Sequence, residues 1–574
     1  MRLTSHALAV PLIAPFAIVA LPAIAQDAEG YWTGTLQIGT AELPVGFAVE
    51  RGSDSTLSAA LDSPSQGAFD IPVNAVVLED DRLTFTIAAL SGQYAGVWDD
   101  ATQSWNGTWT QAGQTFPLAL SRGERTERTA QRSADPLSSN WSLPTDDAIA
   151  ALLETRIAGR PGAGYVVSVI EGDTARDVTA GDGFDADTVF EIGSITKVFT
   201  ALVLAHMVLD GTVSLDDPVA KFLPDGARMP SRAGQQITLR HLSQHNSGLP
   251  RLPDNLVPSD AANPYADYTE ADLLAYLAGH ELTRDIGSQF EYSNLGVGLL
   301  GYALARAEGT EFATLLRNRI LTPLGMDDTA ITLSDEQQAR FATGHDEYMR
   351  PTKAWDLSVL SGAGGMRSTL ADMTLFAKAA LDPASPIAEA MQLTLSEARD
   401  VGGQVMGLGW FVRKAPARLV ASHGGGTGGF RTHLALQPAM DRASMVMTNA
   451  SVEPSARDIG MHLLIGTPLS EVGPVPEAPA TVDRTPVTLS EAELDRVVGT
   501  YRFAPGMDLA IERRGAQLYA TITGQGALPI FPGSRTRFFY RAVNAEITFA
   551  EHEGRITGAA FTQDGRTSLL TLVE

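Results

Sequence analysis

Hydrophobic and polar positions alternate with a period of two at both ends of this chain. Between residues 27 and 121 the apolar residues come in short runs bounded by turn formers, such as Leu83-Thr84-Phe85-Thr86-Ile87, and none recurs at helical spacing. A period of two puts alternate side chains on one face of a strand, so this module is predicted to be antiparallel β. Residues 487–574 read the same way after a short helical start at Ser490 to Val498. Their clear strands are Gln517-Leu518-Tyr519-Ala520-Thr521-Ile522 and Glu546-Ile547-Thr548-Phe549. Closure removes unpaired edge strands, so both modules are expected to be small barrels and not open sheets.

The middle of the chain is patterned differently. Tyr165 to Ile170 is a strand-like apolar run, and Ile195 to Leu209 is apolar almost all round before a stop at Asp210-Gly211. A helix without a polar face must be buried. Strands at the start and end of the region, with helices between, predict an α/β or α+β sandwich. Two polar, uneven stretches separate the three parts: 122–140, and a proline-rich one over 466–486. The predicted order is an N-terminal β module (27–121), a linker (122–140), a central domain (141–465), a second linker (466–486) and a C-terminal β module (487–574).

One similarity links the two outer modules. Trp109-Thr-Gln-Ala-Gly-Gln-Thr-Phe-Pro-Leu-Ala-Leu120 aligns without gaps to Phe561-Thr-Gln-Asp-Gly-Arg-Thr-Ser-Leu-Leu-Thr-Leu572, and each segment ends its module. The pattern predicts a closing hairpin turning at the glycine, followed by a strand whose leucines alternate inward.

Composition narrows the function classes. An apolar fraction of 44% and a charged fraction of 19% over 574 residues fit a folded globular protein. The net charge of −25 is spread along the chain with no Lys/Arg stripe to neutralise phosphates, which argues against nucleic acid as a partner. The absence of cysteine excludes disulfides, a thiolate nucleophile and Cys-ligated metal sites, and no cofactor or metal is expected. Met1-Arg2, an apolar run from Ala7 to Ala20 and Ala23-Ile24-Ala25 form an n-region, an h-region and an A-x-A cleavage site. Residues 1–25 are therefore expected to be a signal peptide and the mature chain periplasmic or secreted. No later stretch is long and apolar enough to span a bilayer.

Three elements carry candidate chemistry. In Ser194-Ile195-Thr196-Lys197 the serine and lysine share a helix face at i and i+3, so the amine can sit beside the hydroxyl, and burial favours its neutral form. Taken alone this is a weak signal, because a plain helix cap followed by a lysine would look the same. Lys197, however, lies among Ile195, Val198 and Phe199 with no polar face to carry it into water. The second element, Tyr292-Ser293-Asn294, supplies a phenol for proton transfer and an amide that both donates and accepts. It precedes a helix predicted from Leu295 to Ala307. The third, His423-Gly424-Gly425-Gly426-Thr427-Gly428-Gly429-Phe430, follows a strand-like run and lets a substrate lie against bare backbone N–H groups. There is no G-x-S-x-G elbow and no H-E-x-x-H, which removes the Ser-His-Asp α/β-hydrolases and the zinc hydrolases. His206 falls on the buried helix, and His241 and His245 on a loop stretch, as structural or substrate-adjacent residues.

In this combination and order the elements resemble the serine β-lactamase and penicillin-binding superfamily, in its class C-type branch of D-aminopeptidases, DD-carboxypeptidases and related esterases. The resemblance extends over Phe190-Glu-Ile-Gly193, Gly211 to Pro218, Ile237 to Pro250, Pro323-Leu-Gly-Met326 and Gly362 to Thr369. The C-terminal module looks like the lipocalin-like barrels appended to some of these peptidases. The resemblance implies a sandwich of antiparallel sheet and helices with a helical subdomain. It also implies that Ser194 is the acylated nucleophile, that Lys197 and Tyr292 move its proton, and that Asn294 orients lysine and substrate. The oxyanion hole would be the N–H groups of Ser194 and Gly426, with Gly425 beside them on the substrate strand. β-Lactamases of the branch carry Lys-Thr-Gly where this chain has His423-Gly424-Gly425, and histidine resembles the peptidase members. An imidazole with the usual pKa of ~6.5 would anchor a substrate carboxylate only on the acidic side, giving a KM that rises with pH. The expected substrates are peptides or amides containing D-amino acids, then small esters, then β-lactams. A penicillin- or peptide-binding module without turnover is the non-enzyme alternative.

Overall fold

The computed structural model describes residues 27–573, apart from 39–40, 53–55, 64–67, 88–91, 112–113, 124, 126–140, 402, 416–417, 477–483, 505–506, 524, 553 and 564–565. The expected signal peptide and most of the first linker lie outside these. The described residues fall into two units, divided near residue 130.

In the first unit, nine antiparallel strands from Gly30–Ile38 to Gln114–Arg122 form one sheet around an aromatic core that includes Trp32, Phe47, Phe85, Tyr94 and Trp105. The alternation seen in sequence is the inward face: Leu83, Phe85 and Ile87 are fully buried, and Phe47 stacks on Phe85 at 4.5 Å. The sheet is barrel-like, but among the described residues no ladder closes it. Its edge strands, Ala68–Pro72 and Ala75–Glu79, are consecutive and joined by Val73 and Asn74 alone. The Val73 N–H reaches Ala59 on one side and the Asn74 N–H reaches Thr86 on the other, so two residues bridge the edges where a ladder was expected.

The second unit is built on an eight-stranded antiparallel sheet. Its order is Thr174–Ala180, Tyr165–Glu171, Arg442–Thr448, Arg431–Gln437, Arg418–Gly426, Phe411–Ala415, Val405–Met406 and Arg399–Asp400. Tyr165–Glu171 reads as a continuous apolar run because both faces are covered. Tyr165, Val167 and Val169 meet the terminal helices Asp146–Ile157 and Ala456–Ile465, while Val166 and Ile170 join the larger helical core on the opposite face. That core holds Thr196–Leu209, Asn294–Glu308 and Leu370–Leu381. His241, expected on a loop, lies on a short helix, Leu239–Ser243. Its ring takes the part that Glu or Gln plays in a capping box with Thr238, which hides the helix start from a search for the usual residues.

Residues 499–573 form a closed eight-stranded barrel in which Gly499–Ala504 pairs with Arg566–Val573 through Tyr501↔Leu572. A capping box between Ser490 and Glu493 starts the short helix Glu491–Asp495 before it. The two similar segments do end their sheets as hairpins, with Gln111↔Gln114 and Gln563↔Arg566 as the innermost pairs, while their glycine turns lie outside the described residues. Leu118 and Leu120 are both buried. Of the two matching leucines in the barrel, Leu570 is buried and Leu572 is exposed. The barrel packs on the central region through Leu528, Ala542 and Val543, and Arg514 pairs with Asp254 at 3.2 Å.

Candidate active site

Ser194 sits in a 3-10 turn, Gly193–Ile195, that runs directly into the helix Thr196–Leu209. Because that helix is buried all round from Thr196 to Ala205, Lys197 is fully buried one turn beyond the serine. Its Nζ lies 3.0 Å from Ser194 Oγ, 2.9 Å from Asn294 Oδ1 and 2.5 Å from the Ala363 carbonyl. Two of these three partners are carbonyl oxygens, which only accept. A neutral amine has two N–H bonds for them and one lone pair, which is left facing the serine hydroxyl. Desolvation, and then the Arg251 guanidinium, hold Lys197 well below the usual lysine range. Tyr292 is pushed the other way, up to about 12, by burial, although its hydrogen bond with Ser194 and the charge of Arg251 pull it back. The site thus pairs a basic amine with a protonated phenol on one hydroxyl.

Ser293 orients the second element. Its Oγ accepts from the Gly296 N–H at 2.8 Å, capping the helix Asn294–Glu308, and donates to the Pro250 carbonyl at 2.6 Å. Asn294 therefore starts the helix with its amide pinned between Lys197 and Tyr265, whose phenol oxygen takes the Nδ2 hydrogen at 3.1 Å. Tyr292 stacks on His245 at 4.5 Å. The Ser293 N–H donates to His245 Nδ1 at 3.0 Å, which places that ring's proton on Nε2.

The glycines of the third element end the strand Arg418–Gly426. A Cβ on Gly425 would fall 2.0 Å from the Ile192 carbonyl, and one on Gly193 would fall 2.7 Å from the Gly426 nitrogen. Backbone thus meets backbone at the two segments expected to supply oxyanion donors. Position 424 is open, with nothing nearer than 3.7 Å. His423 departs from expectation in its charge. It is 2% exposed, and burial together with the nearby Lys197 lowers it to about 3. Its Nδ1–H donates to the Gly424 carbonyl at 2.8 Å, leaving the Nε2 lone pair buried without a partner. At neutral pH it is an acceptor for a hydrogen-bond donor and not a cation for a carboxylate. An unperturbed pKa does not apply to a ring sealed against Phe411 and Tyr292.

All seven residues picked out in sequence converge here: Ser194, Lys197, Tyr292, Asn294, His423, Gly425 and Gly426. Sequence reasoning missed Tyr265, in a stretch without periodicity, and Arg251, one residue beyond the Ile237–Pro250 motif, whose guanidinium lies 5.2 Å over the Tyr292 ring. Among the described residues no cluster of acidic or histidine side chains could hold a metal ion, and no helix is long and apolar enough to cross a membrane.

The fold and the site together are those of a β-lactamase-type protein. The Beta-lactamase family model matches residues 149–465, and the chain belongs to that family. A second model, a domain of unknown function (DUF3471), matches residues 483–569. The chain is 27% identical over 403 residues to penicillin-binding protein 4* of Bacillus subtilis (strain 168), covering 66% of this chain and 86% of that one. It is 34% identical over 285 residues to the D-alanyl-D-alanine-carboxypeptidase/endopeptidase AmpH of Escherichia coli (strain K12), covering 46% and 72%. Among solved structures, the β-lactamase/D-alanine carboxypeptidase from Yersinia pestis is 26% identical with a TM-score of 0.47, covering 55% of this chain and 98% of that one. The chain is a hydrolase of the β-lactamase type.

Proposed function

We propose that the protein is an exported serine hydrolase that works through an acyl-enzyme on Ser194 and cleaves peptides or amides containing D-amino acids. The observation that carries the reading is the buried Lys197 amine, whose Nζ is held by the carbonyls of Asn294 and Ala363 at 3.0 Å from Ser194 Oγ. As Ser194 Oγ attacks the acyl carbon, its proton passes to Lys197. The negative charge that develops on the carbonyl oxygen is met by the N–H groups of Ser194 and Gly426. The Tyr292 phenol protonates the leaving nitrogen, and the Lys197 ammonium returns a proton to the phenolate. Water, deprotonated by the same pair, then releases the acid and restores the serine.

Two features support a peptide over a β-lactam. His423-Gly424-Gly425 stands where Lys-Thr-Gly is the β-lactamase pattern, so the lysine and hydroxyl that hold a β-lactam carboxylate are both missing. The AmpH relative is named for D-alanyl-D-alanine carboxypeptidase and endopeptidase activity. Export rests on the n-region, h-region and A-x-A site of residues 1–25. The test is a hydrolysis screen over D-amino-acid p-nitroanilides, short p-nitrophenyl esters and nitrocefin. Highest kcat/KM on the D-anilides is expected. Preference for nitrocefin or for simple esters would replace the peptidase reading with the β-lactamase or esterase one, and stable acylation without turnover would leave a binding module.

A further inference from the structure

We propose that Arg251 is the anion anchor of this site and selects substrates that carry a free carboxylate near the scissile acyl bond, an inference that rests on the serine-hydrolase reading above. The need for an anchor arises from the site itself. Lys197 is buried as the base, His423 is a neutral acceptor, and His245 is buried beneath Tyr292, so none of them offers a fixed positive charge. Arg251 does, on a planar guanidinium fork that matches the geometry of a carboxylate.

Its placement is built into the motif. The Arg251 carbonyl accepts the N–H groups of Asn294 and Leu295 at 3.0 and 3.2 Å, and its own N–H donates to Glu291 Oε1 at 3.1 Å. The residue is thereby locked to the segment that bears Tyr292 and Asn294. The side chain is exposed and rests over the face of Tyr292, whose phenol is bonded to Ser194. A cation on that face is separated from the reacting hydroxyl by the one ring that is bonded to it.

Arg251 also lacks what most arginines of this acidic chain have. Among the described residues no carboxylate side chain forms an ion pair with it. Glu291, the nearest acid in its hydrogen-bond network, is paired with Arg284, and Asp254 with Arg514 of the barrel. The other guanidinium beside the oxyanion strand, Arg431, is engaged by the carbonyls of Thr427 and Phe430 and by the Ser451 hydroxyl. The groups facing Arg251, Tyr292, Tyr265, Lys197 and His245, bring no negative charge. An exposed fork without a carboxylate partner among the described residues, set over the Tyr292 ring, fits a ligand carboxylate in two-pronged fashion.

The test uses the full-length protein and a matched pair, the benzoylglycyl thioester of thioglycolate with a free carboxylate and the methyl ester of the same compound. The wild type is expected to prefer the acid, and the preference to shrink as salt is raised. Arg251→Gln should lower kcat/KM for the acid roughly 10- to 100-fold more than for the methyl ester, whose own change reports the effect of the lost charge on Lys197 and Tyr292. Arg251→Lys should retain part of the preference. Arg251→Glu should reverse it in favour of a thiocholine ester, which a merely structural role would not do. Equal loss on acid and methyl ester in Arg251→Gln would mean that Arg251 acts on the Tyr292 phenol, and would overturn the proposal. Turnover of the methyl ester by the wild type without preference for the acid would overturn it alone. Failure to turn over either thioester, with no phosphonate labelling of Ser194, would overturn the serine-hydrolase reading beneath it.

Discussion

Adding one methyl group at Gly193 should disable the site while leaving most of the fold in place. Gly193 has φ of +51°, in the left-handed region, and an alanine there would cost about 1–2 kcal/mol in backbone strain. Its Cβ would lie 2.7 Å from the nitrogen and 3.0 Å from the oxygen of Gly426. Ordinary contact distance is near 3.5 Å, so the end of the substrate strand must retreat by about 0.5–1 Å. A displacement of that size at a reacting centre is worth about 100-fold, and loss of one oxyanion donor about 100- to 1000-fold, or about 3–4 kcal/mol. Steady-state hydrolysis of p-nitrophenyl butyrate by Gly193→Ala should therefore show kcat reduced by roughly 100-fold or more, with KM within about threefold of wild type, since the missing interaction belongs to the transition state. Gly424→Ala is the matched control, because its Cβ meets nothing closer than 3.7 Å, and it should keep kcat within about twofold. Near-wild-type kcat in a folded Gly193→Ala would refute the reasoning, because it would mean that contact between the Gly193 turn and the Gly426 strand does not shape the oxyanion hole.

Other perturbations probe the rest of the site. Tyr265→Phe removes the oxygen that holds Asn294 Nδ2; kcat on the same ester should fall by roughly 3- to 30-fold, and no change would show that Asn294 needs no such support. Activity requires a neutral Lys197, so kcat/KM should decline as pH falls through its depressed pKa. His423 is already neutral above about pH 5, so His423→Gln should leave that acidic limb in place, and its disappearance would reassign the limb to the histidine. A chain ending near Gly466 loses the packing of Leu528 and Ala542 and the Arg514–Asp254 pair. It should still hydrolyse a small neutral ester at lowered thermal stability, and complete loss from a folded truncation would show that the barrel contributes to the site.

Most of the candidate site was legible because its chemistry is encoded locally. Ser194 and Lys197 are linked by helical spacing, Tyr292 and Asn294 flank one cap, and the glycines of 424–426 announce exposed backbone. What escaped depends on tertiary packing. Nothing in sequence marks Tyr265 as the partner of an amide 29 residues away. Arg251 is conspicuous only once its lack of a carboxylate partner among the described residues can be seen. The charge of His423 was misjudged because a pKa is set by burial and neighbours, here Lys197, which a linear pattern does not contain. The same holds for the fold. Alternation identified the strands of both outer modules, yet whether the first sheet closes turned on a two-residue bridge at Val73-Asn74, and Leu572 kept the expected period while lying exposed.

The central claim, that Ser194 is the acylated nucleophile, is tested most directly by intact-mass and peptide mapping after incubation with a fluorophosphonate. A single adduct on Ser194 is expected, absent from a folded Ser194→Ala that has also lost hydrolysis, since only a hydroxyl has been removed. An adduct on a different serine, or a tenth or more of wild-type kcat remaining in Ser194→Ala, would contradict it.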